Sequence, residues 1–136
     1  MHHWRFCRRA VDVLGALSAA LLLVSPFAAL AAPKRLDCNL TSLETRVGPK
    51  TDVVAENRSI TVVFDQDAKA LTVYPDGSAL ALTNVTMSQI AMSGYVSGKV
   101  SLSVDPSSWS IAFQTYKPDS TSTEFGTCSL SAKPPP

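Results

Sequence analysis

Histidine is almost missing from this 136-residue sequence, and the two present are adjacent at His2 and His3. Both sit in a basic start, "MHHWRFCRR", that leads into the apolar run "VLGALSAALLLVSPFAALAA". That is the layout of an export signal, and Ala29 and Ala31 fit small-x-small cleavage after Ala31. Ser18, Ser25, Pro26 and the closing alanines fit a cleaved signal better than a retained anchor, although the run is long enough to span a bilayer. Arg8-Arg9 raises a twin-arginine signal, but Asp12 falls where that motif wants an apolar residue, so general export is expected. With 1–31 removed, the working domain holds no histidine. Ser-His and Cys-His dyads and imidazole metal ligands are then excluded, and neither an enzyme nor a cofactor is expected.

Cysteine is scarce too. Cys7 leaves with the signal, and Cys38 and Cys128 remain, with no CxxC and no base to activate a thiol. In an exported chain such a pair reads as a disulfide. Closing so long a loop adds at most roughly 4–5 kcal/mol on the chain-entropy account. "KRLDC" is no lipobox, so a soluble periplasmic or secreted protein is expected. Nor is there a basic stripe. Beyond residue 31, nine Lys and Arg stand scattered against ten Asp and Glu, which argues against a nucleic-acid partner.

What is present is alternation. "SITVVFD", "ALTVYP", "SALAL", "KVSLSVD" and "WSIAFQ" each read apolar-polar along a half-buried strand. "DQDAK", "PDG" and "DPSS" are turn-forming connections between them. "LDCNLTSLETRV" supplies one or two more strands, and "TEFGTCSL" closes the domain with a bulge or bend expected at Gly126. "NVTMSQIAM" breaks the pattern and fits an irregular strand slightly better than one helical turn. The reading is an all-β domain over 32–130, of seven or eight short antiparallel strands, with its ends tied by the disulfide. A small closed barrel is favoured over a compact sandwich because closure removes sheet edges. The tail 131–136, "SAKPPP", is expected as a disordered end.

Chemistry-bearing residues are few. Asp65 and Asp67 read as a solvated turn rather than a calcium loop, which would need more oxygen ligands at fixed spacing. Ser97 and Lys99 have no spacing that supports a Ser-Lys dyad. Trp109, in phase with Ile111 and Phe113, reads as core. Asn39, Asn57 and Asn84 open Asn-x-Ser/Thr triplets, which matter only in a eukaryotic secretory pathway. The stretch "MSGYVSGK", 92–99, stands out for two Ser-Gly pairs, a tyrosine between them and a lysine after them.

The cysteine near the start, "ITVVFDQDAKALTVYPDGSALAL", the Ser-Gly-Tyr stretch, the late tryptophan strand and the closing "GTC" together resemble the bacterial inhibitors of c-type lysozyme. In that family a loop with Ser-Gly, a tyrosine and a later lysine enters the lysozyme cleft and engages its catalytic carboxylates. The resemblance maps that role onto Ser93, Gly94, Tyr95 and Lys99, although Tyr95 follows Gly94 directly where the family has two intervening residues. It implies an exported, non-catalytic binding protein whose partner is a lysozyme-type glycosidase. A lipocalin-like carrier of a small apolar ligand is the alternative, without the usual Gly-x-Trp. An envelope domain with a structural or assembly role is a further one. The sequence does not fix the oligomeric state.

Overall fold

The structure is a computed structural model that describes residues 32–136, so the expected export signal lies outside the described residues. Nine antiparallel strands follow one another: β1 Lys34–Val47, β2 Lys50–Asp65, β3 Ala70–Tyr74, β4 Leu80–Ala81, β5 Thr83–Met87, β6 Met92–Val96, β7 Val100–Asp105, β8 Ser110–Tyr116 and β9 Thr121–Ser131. Their order across the sheet is β4-β3-β2-β1-β9-β8-β7-β6-β5. β4 and β5 are one bent run, broken only at Leu82. Its first half pairs with β3 and its second with β6. Leu82 donates its N–H to the Leu71 carbonyl at 2.9 Å across the break. The sheet thus curls into a nearly closed barrel, as the alternation implied.

Inward positions alternate along the strands and form one contiguous core of Leu36, Leu40, Ile60, Val62, Leu71, Val73, Leu102, Val104, Ile111 and Phe113 with their neighbours. Burying each large side chain contributes about 1.5–3 kcal/mol, which makes this filled axis the main source of stability. Trp109 packs against one end of the core, its ring 6.5 Å from that of Phe64. It lies in the turn before β8 rather than in the strand, with φ at 56°. Its N–H reaches Asp105 and its carbonyl accepts from Cys128.

Cys38 and Cys128 are bonded and stand opposite each other in the β1–β9 ladder. That ladder slips where Leu40 faces Gly126 and Ser42 faces Phe125. A Cβ at Gly126 would lie 2.0 Å from the Asn39 carbonyl oxygen, so no side chain fits at the slip, where the bend was expected. In the tail, Arg35 donates to the Pro134 carbonyl at 3.1 Å, and Lys133 and Pro136 line a 550 Å³ groove over β1 and β2. One reading changes, because 92–99 is not a loop. Met92–Val96 is a regular strand, and Ser97, Gly98 and Lys99 form the turn, with the Lys99 N–H bonded to the Val96 carbonyl.

Candidate functional site

In β6, Met92 and Gly94 point into the barrel while Ser93 and Tyr95 point out. Gly94 is therefore a packing glycine. A Cβ there would sit 3.0 Å from that of Leu82 and 3.2 Å from Val85 Cγ2, where the bent run crosses closest. Ser-Gly reads as a turn when seen alone; here the glycine makes room and the ladders on both sides hold it extended. Ser93 lies opposite Ser103, and Tyr95 opposite Ser101. Lys99 is exposed at the head of the hairpin, past Val96. Three strand steps separate Ser93 from Val96, roughly 10 Å, so the hydroxyl and the ammonium share a hairpin without meeting.

The ladders carry these residues into a wider face. One row runs from Tyr95 through Ser101, Gln114 and Thr123 to Glu44, and the next from Ser93 through Ser103, Ala112 and Phe125 to Ser42. Tyr116 folds over the first row. Its hydroxyl donates to Gln114 Oε1 at 2.5 Å and lies 3.3 Å from Ser101 Oγ, while Gln114 Nε2 donates to Thr123 Oγ1 at 3.1 Å. Tyr95, Tyr116 and Phe125 are 45%, 39% and 40% exposed. Ionic groups stand only at the margins, with Lys99 at the turn, Asp105 at the far end of β7, and Glu44 with Arg46 beside a 220 Å³ groove under Tyr116. Sequence reading passed over Tyr116 and Phe125, because their membership of one face follows from pairing register and not from spacing.

A second cluster lies on the inward face, toward the barrel end where β1 meets β2. Glu124 is buried at 6% exposure and pairs with Arg58 Nη1. Arg58 Nη2 also donates to the Pro75 carbonyl at 2.9 Å and to Asp76 at 3.3 Å. Burial works against the Arg58 charge, but the hydrogen bond and charge of Glu124 outweigh it and raise its pKa. Burial first, and then the charge of Glu124, push the Glu56 carboxyl above its ordinary range, and Glu56 Oε1 is buried without a hydrogen-bond partner. The sign of this cluster in the sequence is Glu124 in phase with Cys128.

The remaining carboxylates shape turns. Asp65 Oδ1 accepts from the N–H groups of Asp67 and Ala68, and Asp105 Oδ1 from Ser107 N–H and Oγ–H. Among the described residues no cluster of His, Cys, Asp and Glu suited to a metal ion occurs. Comparison with known protein families, with curated proteins and with solved structures finds no match for this chain.

Proposed function

We propose that this is an exported, non-catalytic binding protein that engages a protein partner through the outer face of β6–β9, with a c-type lysozyme as that partner. The carrying observation is the make-up of the face. Three half-exposed aromatic rings stand on one outer face among hydroxyls and one amide, with charges at the rim alone. Depletion of charge at the centre, with tyrosine and phenylalanine enriched, is what distinguishes the core of a protein–protein interface. Tyr116 is already fixed by two hydroxyl and amide contacts, which lowers the entropy cost of binding through it. Lys99, at the rim, offers an ammonium to a carboxylate-lined cleft. The choice of lysozyme rests on the family resemblance. The carrier alternative is less favoured, since the barrel axis is filled by core side chains.

The test is titration against c-type lysozyme in a cell-wall clearing assay, with Tyr95→Ala, Tyr116→Ala and Lys99→Ala beside the parent. Inhibition is expected, weakened at least about tenfold by either tyrosine truncation, as for anchor residues of an interface. Absence of inhibition at micromolar protein removes lysozyme as the partner. Inhibition indifferent to both tyrosines removes the face.

A further inference from the structure

Thr61–Phe64 of β2 lie between β1 and β3, whereas Lys50–Ala55 and Arg58–Ile60 pair with β1 alone among the described residues, with a register shift at Glu56 and Asn57. One edge of backbone N–H and C=O groups is therefore open along the first half of the longest strand. It also carries exposed apolar side chains on both faces, Val53 at 65% and Val54 at 54%. An open edge of this kind is a template for another strand.

We propose that a second copy of this chain completes it, β2 against β2, antiparallel, with Val53 on the two-fold axis. A two-fold axis normal to the sheet keeps each face on its own side, so a residue can oppose only one that points the same way. In β2 the even-numbered positions share the face of Ile60 and Val62, and the odd-numbered ones the opposite face. Only registers centred on a residue remain. Centring on Asp52 sets two carboxylates against each other. Centring on Val54 sets Asp52 against Glu56 and Lys50 against Arg58, like on like. Centring on Ala55 sets Asp52 against Arg58, whose guanidinium is already engaged by Glu124, Pro75 and Asp76, and runs the ladder to Ser59, where β3 closes in.

Centring on Val53 sets Lys50 against Glu56 at both ends, Thr51 against Ala55, Asp52 against Val54, and Val53 against its own copy in the middle. The odd-numbered face is then an apolar set about the axis, the outer pairs on the other face are oppositely charged, no like charges are opposed, and one segment supplies both halves, as a two-fold interface requires. The area is small, since single strand edges meet, so the dimer is reversible and concentration-dependent. It uses β2 and leaves β6–β9 free, so it stands or falls apart from the partner-binding reading.

The test is sedimentation of protein from expression of the full chain, across a concentration series reaching tens of micromolar and above. Twice the monomer mass is expected at the upper end, and monomer throughout for Val53→Lys, which sets two ammonium groups on the axis. Val53→Cys is expected to cross-link to itself under mild oxidation. Thr51→Cys and Ala55→Cys should each fail alone and cross-link when mixed, which fixes the register even if the lysine variant folds poorly. A monomer at every concentration, or cross-linking that ignores this pairing, overturns the proposal.

Discussion

Arg58→Ala tests whether the inward ionic cluster is structural. The substitution leaves Glu124, 6% exposed, without its guanidinium and beside Glu56, which already has an unpartnered oxygen. Removing one partner of a fully buried pair costs roughly 3–5 kcal/mol, because the other charge stays behind unpaired. Arg58 is itself 32% exposed, so water can enter the space it leaves and the expected loss falls to about 2–3 kcal/mol. For a domain of this size that lowers Tm by roughly 10–20 °C. Urea unfolding can be followed through Trp109, the one tryptophan beyond residue 31. The loss should be largest near neutral pH and shrink in acid. There Glu56, whose pKa burial and then the Glu124 charge already raise, takes up a proton first, and the repulsion that the missing guanidinium leaves behind is relieved. A loss under about 0.5 kcal/mol, the size of an exposed pair, would refute the assignment. So would a loss of equal size at pH 7 and pH 4.

Two further outcomes follow from the same geometry. Glu56→Gln should raise stability at neutral pH by about 1 kcal/mol, the order of one net hydrogen bond, because it removes a charge that burial and Glu124 both oppose and supplies an amide donor beside Glu124. The Glu56 pKa is raised by burial and by Glu124, so its favourable share of stability is present below the ordinary carboxyl range and lost as pH rises through the higher folded value. The gain from glutamine should therefore fade as pH is lowered through that range, and a gain that persists in acid would count against this account. Gly126→Ala, which meets backbone oxygen at 2.0 Å, should cost several kcal/mol and abolish recovery of folded protein, while Gly94→Ala, which meets the Leu82 side chain at 3.0 Å, should cost about 1–3 kcal/mol. Equal effects on thermal unfolding would contradict that order.

Strand positions with one wet face were legible in the sequence. Val100, Leu102 and Val104 announced β7, and Ile111 and Phe113 announced β8, because burial on a single face forces period two. The first half of β2 was not legible: "KTDVVAEN" carries two adjacent valines and no burial pattern, since its partner is one strand and its other edge is open. Ser93, Gly94 and Tyr95 were picked out by composition and misplaced in a loop. Their extended shape comes from β5 and β7 on either side, which local residues do not encode. The aromatic face was invisible for the same reason, since Tyr95, Tyr116 and Phe125 come to share one face only through pairing.

The barrel's two kinds of seam lie on nearly opposite sides of the ring. β1 and β9, at the two ends of the described chain, are adjacent, carry one of the longest ladders and are stapled by Cys38–Cys128. The join at β4 consists of two paired positions, Thr72 with Ala81 and Val73 with Leu80. Most domains fray from their termini. This one is built to loosen from the middle of its sequence, so the earliest amide exchange belongs to residues 80–91, and a barrel opened there remains a single sheet clasped at its centre.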